Sequence, residues 1–219
     1  MDGRAFINEI VNYYKQSRKL TVDTNDFNIW RGVSHSISSL SEDLFALMIA
    51  LELNDKGLEF VVDKTFTLRM FDGQTIQFRP DLAVIKGGEI RVIIDLKMDM
   101  GYKRNYHETE AFEKEADKFN LLRLGEYESI SYAKDKRRIP VTVSLCIKNQ
   151  IVVISEKNEG KAENRESMIN KISALDWINI YYLSGGVHPN TYDVATLKKL
   201  TVNQPEFDRL SRDIKGALK

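Results

Sequence analysis

The chain has 219 residues, 42% of them hydrophobic and 29% charged, and its 32 basic and 32 acidic side chains leave a formal net charge of zero. This is the composition of an ordinary soluble globular protein; it argues against a passive, charge-driven nucleic-acid coat, whose domain is normally strongly basic. The longest apolar run, Leu44 to Leu51, falls far short of the roughly 20 residues of a membrane helix, so no membrane partner is expected.

The start, Met1-Asp2-Gly3-Arg4, lacks the apolar core of a signal peptide. The lone Cys146 lies in the apolar run Val141 to Ile147. It reads as a buried small hydrophobe in a cytoplasmic protein. No Pro/Gly/Ser-rich linker or repeat divides the sequence, and residues 1–219 are read as one domain.

Arg4 to Leu20 fits a short amphipathic helix. Leu40, Leu44, Leu47, Met48 and Leu51 recur at helical spacing, with N-cap candidates from Ser38 to Ser41 and an end at Asn54-Asp55-Lys56-Gly57. Leu58 to Met70 reads as a strand that turns at Asp72-Gly73. Thr75 to Lys86 and Ile90 to Lys97 read as two more, joined by a tight Gly87-Gly88-Glu89 loop. Glu108 to Leu124 is predicted helical, and Ile139 to Ile147 a strand, with Ile151 to Ile154 folding back through Asn149-Gln150. Beyond Ser155 come a charged loop, a helix around Glu166 to Leu175, a strand at Trp177 to Leu183 and a final helix near Pro205 to Leu218. The fold class is α/β (α+β): an α-β-β-β-α-β core over about 38–147, then a C-terminal extension over about 155–219.

Pairing Lys86 with Ile90 sets Asp81 opposite Asp95, with Cβ atoms roughly 4.5–5.5 Å apart. The same register puts Ile76, Phe78, Pro80, Leu82 and Val84 on one face with Ile90, Val92, Ile94 and Leu96. Arg79, Asp81, Asp95 and Lys97 fall on the other. Facing carboxylates destabilise a sheet unless something compensates, and a divalent cation is the simplest compensation. Three widely spaced histidines, His35, His107 and His188, give no zinc pattern.

Pro80-Asp81 and Asp95-Leu96-Lys97, on the second and third strands of that core, resemble the PD-(D/E)XK nuclease superfamily, which includes many restriction endonucleases and several repair and recombination nucleases. The resemblance implies a restriction-endonuclease-like fold, a central mixed sheet flanked by helices, and metal-dependent hydrolysis of DNA. Asp81 and Asp95 would be metal ligands, the Leu96 carbonyl a third, and Mg²⁺ the cofactor, with Mn²⁺ substituting. Lys97 would orient the attacking water or stabilise charge on the phosphate. Glu42, near the start of the preceding helix, has two readings: a further acidic catalytic residue and metal ligand, or half of a capping box in Ser39-Leu40-Ser41-Glu42. Asp99 continues the alternation toward the site's edge and also reads as a loop acid beyond it.

Basic and polar side chains that would touch DNA are Arg31 and His35 ahead of the Glu42 helix, Tyr102, Lys103 and Arg104 after the third strand, and Lys134, Lys136, Arg137 and Arg138, the last two groups also readable as solvated loops. The function expected is a Mg²⁺-dependent DNA endonuclease of the type II restriction kind. A repair, recombination or phage nuclease of the same fold, and a non-catalytic nucleic-acid-binding module, stay open. Many relatives act as two-fold dimers, so a homodimer is a further expectation.

Overall fold

A computed structural model describes residues 1–19, 21, 34–100, 110–157, 166, 169–170, 172 and 174–219, the side chains of 110–113 and 115 excepted. Among the described residues the chain is a mixed α+β structure in which helices flank a nine-stranded mixed sheet. Helix α1 (Gly3–Ser17) starts on Asp2, whose carboxylate accepts from the Ala5 N–H at 2.7 Å. Helix α2 (Ser38–Leu53) ends where Asn54 turns left-handed (φ 49), a conformation asparagine tolerates. Among the described residues, no helix is long and apolar enough to cross a membrane.

The predicted strand Leu58–Met70 is two strands, β1 (Leu58–Val62) and β2 (Phe66–Arg69). The polar run Asp63-Lys64-Thr65 separates them, with Asp63 at φ 47. The Thr75–Lys86 run is likewise broken, into β3 (Thr75–Phe78) and β4 (Leu82–Lys86). Pro80 explains the break: it has no N–H for a ladder, and it restricts the residue before it. β3 pairs with β2, whereas β4 lies between β1 and β5 (Glu89–Lys97), antiparallel to both.

Helix α3 (Glu110–Leu124) follows, then β6 (Ser129–Lys134) and β7 (Arg137–Ser155). β7 runs straight through Asn149-Gln150, where a hairpin was predicted, and it serves both halves of the sheet. Its first part pairs antiparallel with β6, and its last part lies parallel to β5 and to β8 (Ile178–Gly185). Leu145 and Cys146 are exposed, because the β5–β7 register shifts by three residues over this stretch. Cys146 is therefore not the buried hydrophobe expected. The short α4 (Val194–Leu197), β9 (Thr201–Val202) and α5 (Gln204–Ala217) complete the chain. Glu166, Ile169, Asn170 and Ile172 are helical, as predicted for that stretch.

Both faces of the sheet are covered, not one, as suits a sheet with parallel strands. On one face Leu82, Val84, Val92, Ile94 and Leu96 pack under α1, α2 and α5. On the other, Ala83, Ile85, Ile90 and Ile93 pack with Phe66, Ile151 and α3 residues Phe119 and Leu122. Ile76 and Phe78 join this second core, opposite to the face expected of them, because the break at Pro80 releases β3 from the alternation of β4. Ile90 also changes face, for a different reason given below.

Candidate active site

Gly87 and Gly88 both have positive φ (59 and 80), and Lys86 pairs with Glu89 across this two-residue turn. Positive φ at both central positions suits the right-handed strand twist. Lys86 thus pairs one residue earlier than predicted, with Glu89 rather than Ile90. The offset is corrected within the hairpin: Ile85 faces Ile90 while Val84 faces Val92, leaving Arg91 as a bulged residue. Beyond the bulge Leu82 faces Ile94, and continuing that register sets Asp81 against Asp95. The bulge is also what sends Ile90 to the other core, since one extra residue flips the alternation.

The two carboxylates come within hydrogen-bonding reach of each other. Asp81 also accepts from the Leu96 N–H at 2.6 Å, while its own carbonyl accepts from the Asp63 N–H at 3.0 Å. Burial, the neighbouring Asp95 charge and the bond to it push the Asp81 carboxyl up to about 7, against the opposing pull of Lys97 and the Leu96 N–H. Lys97 Nζ donates to Asp95 Oδ1. Both of these side chains are about one-fifth exposed, so the pair is open to solvent on one side.

Glu42 lies half-buried on α2. Its carboxyl is raised by burial and by Asp63 and Asp43, and lowered by Arg79 and Lys97. The capping box is not formed: Ile37 occupies the N-cap with no side-chain bond, and Ser41 Oγ donates to the Ile37 carbonyl at 2.8 Å. The helix starts early enough to leave Glu42 in its second turn. Glu42 therefore senses Lys97 and Asp63 from across the site, but does not close on the Asp81–Asp95 pair. Among the described residues no group of three or more His, Cys, Asp or Glu side chains is placed to hold a metal ion.

The pair does fit a hard cation. Its donors are all oxygen, and Mg²⁺ is commonly held by one or two carboxylates while keeping several waters. The N–H of Leu96 faces Asp81, and in an extended strand a residue's N–H and C=O point to the same neighbour. The Leu96 carbonyl is therefore directed to that side as well. A divalent cation would also remove the like-charge cost that raises Asp81.

Beside Asp95 opens a cleft of about 180 Å³, lined by Phe78, Arg79, Pro80, Ile93, Lys118, Phe119, Leu122 and Asn149. Arg79 is held at its rim by Asp63, Nη2 to Oδ2 at 2.5 Å. Asp63, Lys118 and Asn149 escaped the sequence reading. The polar break at Asp63-Lys64-Thr65 was the available signal for the first; the others arrive by long-range pairing.

Other expected contacts fall elsewhere. Asp99 does not reach the pair; it lies 3.1 Å from His188 Nε2 and within electrostatic reach of Tyr14. His35 is tied to the end of α1, its N–H donating to the Ser17 carbonyl at 2.9 Å. Lys136, Arg137 and Arg138 are exposed at the β6–β7 hairpin tip, where Asp135 and Lys136 form the turn (φ 49 and 63). Lys134 there pairs with Glu59 at 3.3 Å. Arg31, Tyr102, Lys103 and Arg104 lie outside the described residues. Compared with protein-family models, curated proteins and solved structures, the chain matches none.

Proposed function

We propose that this chain is a Mg²⁺-dependent DNA endonuclease built on a restriction-endonuclease-like core. The observation that carries the reading is the close Asp81–Asp95 pair, about one-fifth exposed at Asp95, with the Lys97 ammonium on Asp95. An isolated pair of this kind is a cost to the fold; it gains a purpose as a cation site. The order of elements supports the same reading. The α-β-β-β-α-β series is α2, β1, β4, β5, α3 and β7, with β2–β3 and β6 inserted as a side sheet.

The cation supplies charge neutralisation at the scissile phosphate and a more acidic water. Asp81 and Asp95 would hold it, with the Leu96 carbonyl as a third oxygen donor. Lys97, beside Asp95, orients the attacking water or meets developing phosphate charge. Glu42, within electrostatic reach of Lys97 and Asp63, would bind an outer water. Repair and restriction roles share this chemistry.

The test pairs a plasmid digest in Mg²⁺ or Mn²⁺ with calorimetric metal titration. The wild type should cut DNA and bind the ion, and Asp95→Ala should lose both while still binding DNA. An Asp95→Ala protein that binds the ion as the wild type does would remove the reading.

A further inference from the structure

The cleft beside Asp95 has a composition that a pair of metal-holding acids does not require. We propose that it is a nucleobase pocket, and that the enzyme acts on DNA with an unpaired nucleotide beside the scissile phosphate. The proposal rests on the nuclease reading and names its substrate class.

Three observations converge on it. The first is the walls. Phe78 and Phe119 line the cleft together with Ile93 and Leu122. Phe78 is backed by Phe66 (centroids 5.1 Å apart) and Phe119 by Trp177 (5.3 Å), both stacked, so neither ring is free to collapse into the space. The half-buried Phe78 ring is the kind of fixed aromatic surface on which single-strand-binding proteins stack bases, and the buried Phe119 adds to the wall. A duplex backbone, all phosphate and sugar, has no use for such surfaces.

The second is Asn149. It sits on β7 in register with Ile93, two residues from Asp95 on the same face. Its backbone N–H is satisfied by the Trp177 carbonyl at 2.8 Å. Its side-chain Oδ1 is buried and has no hydrogen-bond partner among the described residues. Buried polar atoms are rarely left so. An unpartnered acceptor on a residue that lines the cleft suits the exocyclic amine or ring N–H of a base, whose Watson–Crick edge is free only when it is unpaired.

The third is size and charge. A volume of about 180 Å³ corresponds to roughly six waters at ~30 Å³ each, below the ~300 Å³ at which pockets for larger ligands begin. One planar ring system fits, and a stacked pair does not. Lys118, which also reaches the Gln77 carbonyl at 3.4 Å, and Arg79 bring cations to the rim, where the flanking phosphates of an inserted base would lie.

The experiment uses three DNAs of one sequence: a single strand, a duplex with one unpaired nucleotide, and the perfect duplex. Cleavage is followed in Mg²⁺. Binding is followed separately, with Ca²⁺ in place of Mg²⁺, by the fluorescence of 2-aminopurine at the unpaired position. The wild type should cut the first two DNAs at least about tenfold faster than the third, the lower part of what stacking one base on aromatic rings confers, with cuts next to the unpaired nucleotide. Its binding should change the 2-aminopurine signal. Asn149→Leu should lose both the preference and the signal change; where that variant does not fold, Asn149→Ser replaces it. Equal wild-type rates on the three DNAs, or a preference and signal untouched by the Asn149 change, would overturn the pocket and leave the nuclease reading standing. A signal change without cleavage of any DNA would overturn the nuclease reading and keep the pocket, and the loss of both would overturn both.

Discussion

Asp81 is where the cost of pairing two acids is concentrated. Burial and the Asp95 charge raise its carboxyl from the ordinary 3.8 to about 7. Between those values the folded chain keeps a proton that the unfolded chain has released. The unfolded state then binds fewer protons, so stability falls as pH rises through this window and levels off above about 7. The slope is at most about 1.4 kcal/mol per pH unit from this group, and Glu42, shifted in the same direction, adds to it. The metal-free protein is therefore expected to melt at a lower temperature near pH 8 than near pH 5, with saturating Mg²⁺ removing most of the difference. Asp81→Asn should flatten the slope and abolish the Mg²⁺ effect. Scanning calorimetry at both pH values measures this, and a metal-free stability that rises with pH would contradict it. The pair was legible in the sequence because alternation has a period of two and the glycine turn brings the two strands face to face. Asp99 obeys the same alternation but is the loop acid of its two readings, since β5 ends at Lys97 and Asp99 lies against His188. Asn149 had no local signal at all, because its place beside Ile93 depends on a parallel pairing across a three-residue register shift.

At the scale of elements, the hairpin that carries the site depends on two compensating departures from a plain ladder. The two-residue glycine turn moves the register by one, and the Arg91 bulge moves it back before the chain reaches Asp81. A plain ladder closed by a three-residue loop and the actual two-residue turn with its bulge therefore reach the same offset at the acids. The broken strands were less legible: Asp63-Lys64-Thr65 and Arg79-Pro80-Asp81 carry breaker residues, yet the apolar runs around them read through. Gly88 has φ 80, and a methyl group at its Cα would meet no other atom within 4 Å, so it isolates the backbone requirement from packing. Gly88→Ala should cost about 1–2 kcal/mol, the penalty of left-handed backbone for a residue with a Cβ. Urea denaturation should show this as a lower midpoint with an unchanged slope. A midpoint equal to the wild type's would mean that the turn does not set the register.

On the scale of the whole molecule, one sheet separates two apolar cores, and the candidate site faces only one of them. The other holds a buried polar cluster that ties α5 to the sheet. The Tyr181 hydroxyl lies 2.8 Å from Asp213 and 2.7 Å from Gln150, Asn179 donates to Gln150 at 3.0 Å, and the Arg209 guanidinium covers the Tyr181 ring at 4.1 Å. Burial and Asp213 hold the tyrosine neutral by raising its pKa. In the sequence Tyr181 was recognisable as core, but not as a polar junction, because its partners come from β7 and from a helix some thirty residues on. Tyr181→Phe keeps the ring and removes the hydroxyl, leaving buried Gln150 and Asp213 short of a partner. The expected loss is about 1–3 kcal/mol. Because this cluster and the Asp81–Asp95 pair share no partner and lie on opposite faces of the sheet, their effects should add. Tyr181→Phe should therefore lower the melting temperature by the same amount near pH 5 and near pH 8, with the pH slope of the metal-free protein intact. A slope altered by Tyr181→Phe would mean that the two faces are coupled through the sheet, and that the proton on Asp81 is governed by more than its immediate neighbours.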